Sequence, residues 1–316
     1  MSTRAETPSE QPASGERRPL VGYLGPAGTF SEEALLASAD ADAVQPLALA
    51  SIYDAVMALR RGEVSWAIVP IENSLEGSIN VTLDLLAGEA GDVKIVGEAL
   101  LRVEHALIAV ERLALAEIDT VVTHPHVPGQ CTLFLRTELA RARIVPASST
   151  AEAVRTVVAD ARRGQAAIGT ALAARIYGGT VIREHVEDRE DNETRFVWLA
   201  RANTGVDAAA GERPPLRAGT SGQWKTSLVF WGAGAEHAGW LVRCLDAFAR
   251  REINLTKIES RPRRQGLGSY MFFADLAAHA EDAPVGEAIA ELEASCEEVR
   301  VLGSYGAAPP PEPRRP

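Results

Sequence analysis

The chain has 316 residues, of which 46% are hydrophobic and 24% are charged, and this composition is typical of a globular protein with two or three domains. Acidic residues outnumber basic ones by 43 to 32, which gives a formal net charge of −11. That balance argues against a nucleic-acid partner, because such a partner requires a basic face. It remains compatible with an anionic small molecule, since a pocket can be locally positive on an acidic protein.

Redox, metal and targeting signals are weak. The three cysteines, Cys131, Cys244 and Cys296, lie far apart without any zinc-type spacing, so we expect reduced thiols and no metal. Residues 1–19 are polar and lack the apolar core of a signal peptide. No apolar run approaches the length of a membrane helix, about 20 residues. We therefore expect a cytoplasmic protein without a membrane partner.

Strand-like and helix-like segments alternate along residues 20–201, which predicts an α/β region with a mainly parallel sheet. We expect strands at 21–25, 65–70, 93–110 (two strands), 121–123, 144–146, 166–168 and 194–200, and helices at 31–38, 52–61, 79–87, 130–139 and 151–162. Such layers can form one sheet or two lobes, and two lobes with a cleft are the usual way to hold a small ligand.

A second region follows residues 202–223, which are rich in Gly and Pro and are typical of a linker. We expect, in order, a strand at 226–231, a helix at 239–250, strands at 253–259 and 268–276, a helix at 285–295 and a strand at 299–302. This βαββαβ order predicts a ferredoxin-like unit. Residues 1–19 and 305–316 have the composition of disordered tails, so the expected domains are 20–201 and 224–304.

Three polar segments each follow a predicted strand and precede a predicted helix. They are GPAGTFS at 25–31, PIENSLEGS at 70–78 and SSTAE at 148–152, and the first and third show capping-box spacing. Loops at the carboxyl ends of parallel strands converge at one edge of a sheet, and helix N-termini favour anions. We therefore expect a shared anion site, although turn chemistry explains each segment taken alone.

Two further segments carry candidate chemistry. His124 and His126 flank Pro125, but no carboxylate or cysteine stands at a ligand spacing, so a metal site is not predicted. In a regular strand over DNETRF at 191–196, Thr194 shares one face with Asn192 and Phe196, and the next residue, Arg195, takes the other face. Arg195 is thus equally compatible with a role in the cleft, if the strand bends, and with an ion pair beside the site.

Six segments resemble, in order and spacing, the motifs of the prephenate dehydratase family: GPAGTFSEEAL, VPIENSLEGSI, THPHVPGQC, SSTAEAV, AAIGTALAARIYG and NETRFVWLA. The segment INLTKIESRP at 253–262 resembles the ESRP motif of the ACT regulatory domain in the same enzymes. The match covers about residues 20–303. Since 19 residues cannot hold a chorismate mutase domain, the resemblance implies a monofunctional enzyme.

The resemblance implies a bilobal catalytic region, like a periplasmic binding protein, that converts prephenate into phenylpyruvate in phenylalanine biosynthesis. The new aromatic ring drives the loss of carbon dioxide and water, so no cofactor is expected. Catalysis is expected to centre on Thr194, Arg195 and Phe196, with Thr194 as donor to the departing oxygen. Expected substrate-binding residues are Gly28, Thr29, Glu72, Asn73, Ser74, Gly77, Ser78, His124, Gln130, Ser149, Thr150 and Asn192.

The ACT resemblance implies feedback inhibition by L-phenylalanine, bound between paired domains of a homodimer or homotetramer. Expected effector-binding residues are Gly239, Trp240, Leu241, Val242, Asn254, Leu255, Glu259, Ser260, Arg261 and Pro262. Trp240 stands where the family motif has alanine, so we expect a changed effector fit. A domain that only dimerises is the alternative for this region.

Two other functions stay open for the whole chain. Arogenate dehydratase performs the same chemistry on a substrate with an amino group in place of the keto group. A non-catalytic amino-acid-binding regulator could use the same bilobal fold, but it would have no need of Thr194, which is present.

Overall fold

The computed structural model describes residues 18–40, 42–202, 214–217, 222–232, 237–266 and 268–311. Most of the predicted N-terminal tail and linker, and the end of the predicted C-terminal tail, lie outside the described residues. Among the described residues, no helix combines the length and apolarity that crossing a membrane requires.

Residues 18–202 alternate strands and helices. In chain order the elements are β1 (Leu20–Leu24), α1 (Phe30–Ser38), β2 (Gln45–Leu49), α2 (Ile52–Arg61), β3 (Trp66–Asn73), β4 (Gly77–Ser78), α3 (Asn80–Ala87), β5 (Val93–Arg102), β6 (Ala106–Ala109), β7 (Thr120–Thr123), α4 (Val127–Gln130), α5 (Thr132–Thr137), β8 (Arg143–Pro146), α6 (Thr150–Asp160), β9 (Gln165–Gly169), α7 (Ala171–Tyr177), β10 (Thr180–Arg183) and β11 (Glu193–Arg201). The sequence did not predict β2, β4, α7 or β10, which are short or half exposed and show no full period. Where the sequence predicts one helix at 130–139, the structure has two short helices, α4 and α5, separated at Cys131, where φ is −125°.

The two sheets of this region are mixed. The first has the order β2-β1-β3-β11-β5 with β4 paired to β3, and β11 runs antiparallel to both of its neighbours. The second has the order β10-β6-β9-β7-β8, in which only the pairs of β7 are parallel. The expectation of a mainly parallel sheet is therefore wrong. The chain leaves the first sheet through β5 and returns through β11, so these two strands run in opposite directions.

Each sheet with its helices forms one lobe. The first lobe holds β1 to β5, β11 and α1 to α3, and the second lobe holds β6 to β10 and α4 to α7. The second lobe has its own core on both faces of its sheet, including Val121 and Leu135 on one face and Val122 and Val154 on the other. The predicted bilobal α/β region is confirmed.

The remaining elements form a third sheet covered by two helices. They are β12 (Trp224–Trp231), α8 (Trp240–Ala249), β13 (Leu255–Pro262), β14 (Tyr270–Leu276), α9 (Ala283–Ser295) and β15 (Glu298–Gly306). The strand order β13-β14-β12-β15 is antiparallel throughout, so the predicted ferredoxin-like unit is confirmed. We call residues 222–311 the second region.

The second region packs directly on the first lobe. Its Trp231, Phe273 and Tyr305 share one apolar cluster with Leu86 of the first lobe, among other residues. The backbone of β15 approaches β5 so closely that a Cβ atom on Gly303 would lie 2.1 Å from the carbonyl oxygen of Ile95. The apolar cluster and this close approach fix the second region against the strands that carry the site described next.

Candidate active site

A cavity of about 750 Å³ opens between the two lobes, within the size range of small-ligand sites. Residues of both lobes line it. Its polar lining consists of Thr29, Ser31, Asn73, Glu76, His105, His124, His126, Gln130, Ser148, Ser149, Thr150, Glu152 and Thr194. Phe30 and Phe196 also line the cavity, with Phe196 only 1% exposed.

Strand β11 brings Thr194 to the cavity. Thr194 and Phe196 line the cavity and Arg195 does not, as the alternation of a strand requires. The Nδ2 of Asn73 donates a hydrogen bond to Thr194 Oγ1 at 3.0 Å. The Oδ1 of Asn73 accepts from two backbone amides, those of Leu75 and Glu76, which fixes the orientation of the side-chain amide. No described group accepts the Thr194 hydroxyl hydrogen, so it remains available to a ligand.

Two helix N-termini point at the cavity. At α6, Ser149 Oγ accepts from the amide of Glu152 at 3.0 Å and caps the helix. At α1 the expected capping box does not form, because Thr29 Oγ1 donates to Leu24 O instead. Helix N-termini carry partial positive charge and unpaired amides, which suit a carboxylate.

The described lining contains no Lys or Arg, and its two carboxylates, Glu76 and Glu152, already accept from Gln130 and Arg155. An anion in this cavity would therefore be held by neutral donors and helix ends. Burial lowers the pKa of His105, and burial followed by the charge of His126 lowers the pKa of His124. Both rings are therefore neutral at pH 7. A histidine above its usual pKa is a dipole rather than a cation.

A series of side-chain contacts beside the cavity connects one lobe to the other. Glu76 of the first lobe contacts His126 Nδ1 at 2.9 Å and accepts from Gln130 Nε2 at 2.8 Å. Gln130 Oε1 in turn accepts from Asn192 Nδ2 at 3.2 Å and contacts His105 Nε2 at 2.9 Å. These contacts hold the two lobes together around the cavity.

Comparison with known proteins places the chain in a family. The family model described as "PDT: Prephenate dehydratase" matches residues 21–204. The chain belongs to the prephenate dehydratase family. The prephenate dehydratase of Mycolicibacterium vanbaalenii is 39% identical over 312 residues, covering 93% of this chain and 95% of that one. The predicted enzyme class is thus confirmed.

Two solved structures resemble more than nine-tenths of the chain. Prephenate dehydratase from Arthrobacter aurescens, in complex with L-Phe, is 37% identical with a TM-score of 0.78, covering 91% of this chain and 90% of that one. A structure described as a novel type of quorum quenching acylase is 29% identical with a TM-score of 0.76, covering 92% and 98%. The fold therefore also occurs in a protein named for a different reaction.

The structure brings about half of the expected substrate and catalytic residues to the cavity. Those that line it are Thr29, Asn73, His124, Gln130, Ser149, Thr150, Thr194 and Phe196. Those outside the lining are Gly28, Glu72, Ser74, Gly77, Ser78, Asn192 and Arg195. Asn192 does not line the cavity but contacts a residue that does, since its Oδ1 accepts from Asn73 Nδ2 at 2.8 Å. Gly28 shapes the contact of the lobes, because at φ +85° a Cβ atom would lie 2.8 Å from Ala173 Cα.

Glu72, Ser78 and Arg195 face the second region. Glu72 and Ser78 are opposite each other in the β3–β4 pair, and Lys257 of β13 contacts both, at 3.2 and 2.9 Å. Arg195 NH1 donates to Asp275 of β14 at 2.6 Å. These three family-motif residues lie at the junction of the two regions.

Sequence reasoning missed several cavity residues, chiefly Phe30, Glu76 and His105. His105 stands between two apolar strands, and that position was the signal that could have found it. The thiol of Cys131 is buried in the core of the second lobe, and burial raises its pKa, so it is not poised as a nucleophile.

Proposed function

We propose that this enzyme converts prephenate into phenylpyruvate, with loss of carbon dioxide and water. The observation that carries the proposal is the Thr194 hydroxyl, which accepts a hydrogen bond from Asn73 inside the cleft and has its own hydrogen available. A hydrogen bond accepted at Oγ1 makes the hydroxyl a better donor. Such a donor, fixed in place before the reaction, stabilises charge that develops on a departing oxygen.

In the proposed mechanism Thr194 donates to the ring hydroxyl of prephenate. The bond from the ring to its carboxylate breaks, the electron pair enters the ring, and the ring C–O bond breaks on the opposite carbon. The hydroxide takes a proton from Thr194 as it leaves, and a proton from water restores the threonine hydroxyl. Phe30 provides apolar surface for the forming aromatic ring, and the buried Phe196 packs behind Thr194 on the same strand.

A lining without Lys or Arg suits this charge movement. The side-chain carboxylate of prephenate is held at the N-terminus of α1 or α6, and the ring carboxylate loses its charge in the transition state. A Lys or Arg clamp on the ring carboxylate would stabilise the ground state more than the transition state and would slow the reaction.

Within the second region, residues 224–304 are proposed to form an ACT domain that binds L-phenylalanine and inhibits the catalytic domain at 20–201. Gly239, Trp240, Leu241 and Val242 border a cavity of about 280 Å³ with Tyr270 and Phe272, among others. In support, the Arthrobacter aurescens relative is solved in complex with L-Phe.

The expected effector residues on β13 do not border that cavity. Glu259 accepts from Ser78, and Arg261 pairs with Asp84 of α3 at 3.0 Å. A second chain is therefore required if β13 residues are to meet the 280 Å³ cavity, and we propose a homodimer or homotetramer. Trp240 packs inside the region against Phe230 and Phe272, so its ring forms the back of the cavity. A cytoplasmic location also remains a prediction.

The test is an assay of the purified chain with prephenate, and with arogenate in parallel, each with and without L-phenylalanine. The proposal predicts phenylpyruvate from prephenate, at a rate that L-phenylalanine lowers. If the enzyme turns over arogenate but not prephenate, then arogenate is the substrate. Product that L-phenylalanine does not affect, together with no binding of L-phenylalanine, would support a region that only dimerises.

A further inference from the structure

Six charged side chains meet at the junction between the first lobe and the second region. The first lobe contributes Arg195, Glu72 and Glu98, and the second region contributes Lys225, Lys257 and Asp275. We call them the junction network. Its two halves are each unbalanced, since the lobe has one cation for two carboxylates and the second region has two cations for one carboxylate. Together they are neutral.

Arg195 is the centre of the junction network. Its NH1 lies 2.6 Å from Asp275 Oδ2 and 3.5 Å from Glu72, and its Nε lies 3.6 Å from Glu98, which Lys225 also contacts. Only the contact with Asp275 is a hydrogen bond. Burial is the largest single influence and opposes the charge on Arg195, but the attractions of Asp275, Tyr305 and Glu98 together outweigh it and raise the pKa of the guanidinium, so Arg195 stays charged.

Asp275 is itself held in place by the second region. Ser227 Oγ donates to Asp275 Oδ1 at 2.5 Å, and the same hydroxyl contacts the buried Tyr305 OH at 2.8 Å. The Asp275 side chain is only 6% exposed. Because the Asp275 carboxylate is buried and hydrogen-bonded on both oxygens, its position is fixed, and it fixes the position of the Arg195 guanidinium in turn.

Two members of the junction network directly follow the Thr194–Asn73 pair along the same two strands. In the β3–β11 pair, Thr194 is opposite Asn73, and the next positions, Arg195 and Glu72, are opposite each other. The register of this pair shifts directly after Arg195. On its other side β11 pairs regularly with β5 through Thr194 and Arg195, so the irregularity is confined to the β3 side, where Asn73 lies. A bulge disrupts the ladder locally, so the ion pairs at Arg195 and Glu72 add restraint on that side.

We propose that Asp275 is a positioning residue of the active site, a carboxylate that the second region supplies to hold Arg195 and thereby keep Thr194 within hydrogen-bond distance of Asn73. This inference rests on the proposed function and deepens it. It makes full turnover depend on how the second region is docked, and it assigns Arg195 of the family motif to positioning rather than to contact with substrate.

The test compares Asp275→Asn with the matched variant Asp84→Asn, in the full chain with prephenate and without L-phenylalanine. Asp84 also pairs across the junction, with Arg261 and Arg264, but it contacts neither Arg195 nor Thr194. We expect Asp275→Asn to lower kcat about 10-fold or more with KM within about 2-fold, and Asp84→Asn to leave both within about 2-fold. Asp275→Glu should recover most of the lost kcat.

Ser227→Ala is a milder change to the same carboxylate, for use if Asp275→Asn does not fold. It should lower kcat about 3-fold with KM unchanged, because Asp275 loses one of its two partners. Equal kcat in wild type, Asp275→Asn and Ser227→Ala, or an equal loss in Asp84→Asn, would overturn the inference. A wild-type chain that does not turn over prephenate would instead refute the proposed function.

Discussion

The two faces of β11 carry opposite kinds of polar chemistry. On the cleft side Thr194 meets Asn73, and the described cavity lining offers no Lys or Arg. On the junction side Arg195 meets three carboxylates, with two lysines close by. We interpret this difference as a division of labour within one strand, in which one face serves the reaction and the other holds the geometry. Neutral donors suit a reaction in which charge moves, whereas fixed ion pairs suit a surface that must hold its geometry.

The largest expected effect is on stability, from Arg195→Met. This change leaves the buried Asp275 without a cation and Glu98 with Lys225 alone, and breaking a buried pair in this way costs about 3–5 kcal/mol. Urea unfolding measures the loss in the free energy of unfolding. Arg162→Met, which removes an exposed pair with Asp119, serves as the control and should leave the midpoint unchanged. A loss of below about 1 kcal/mol would contradict the role of the junction network.

Next comes the cleft side, through Thr194→Ala. Loss of one donor at a developing oxyanion lowers kcat by about 10²–10³-fold, and KM should change much less because the carboxylate contacts remain. Steady-state phenylpyruvate formation measures both constants. Thr194→Ser keeps the hydroxyl and should retain much of the activity. Near-normal kcat in Thr194→Ala would remove Thr194 from the mechanism.

A smaller loss is expected from Asn73→Asp, which keeps the side-chain shape but replaces the donor to Thr194 with an acceptor. We expect kcat to fall about 10–100-fold and KM to rise, since a new anion would lie beside a dianionic substrate. The charge-matched control is Asn80→Asp at the exposed start of α3. Similar kinetics for the two variants would mean that Asn73 does not act on Thr194.

The smallest effect is a pH dependence of stability from His105. Burial holds its pKa in the folded chain below the usual value of about 6.5, although Gln130 and Glu187 oppose that shift. Because the unfolded chain binds the proton more tightly, stability falls as the pH drops below about 6.5 towards the lower folded value.

Unfolding free energies at pH 7.5 and 5.5 test this dependence. Wild type should lose more stability than His105→Gln over that interval, by no more than about 1.4 kcal/mol for each pH unit. The exposed His237→Gln should behave like wild type. Equal losses in all three proteins would show that His105 does not contribute.

Local capping signals in the sequence predicted the bounds of the elements that carry them. Helix α2 matches its predicted bounds, because Ser51 caps its first turn and Gly62 closes it in a left-handed conformation. Strand β3, in contrast, continues three residues beyond the predicted end at residue 70. Its partner β11 is more than 100 residues away, and that pairing has no local signal.

The site shows the same limit. Alternation along β11 predicted that Thr194 and Phe196 share a face, and this follows from strand geometry alone. Glu76 and His105 were missed because they reach the cavity only when the lobes come together. Asp275 gave no signal either, since its partner lies in another sheet.

The most direct test of this division of labour is a double-mutant cycle on kcat with Thr194→Ala and Asp275→Asn. If Asp275 acts by positioning Thr194, it has nothing left to position once the hydroxyl is gone. The account predicts that Asp275→Asn lowers kcat in the wild-type background but not in the Thr194→Ala background. Two independent losses that multiply in the double variant would contradict it.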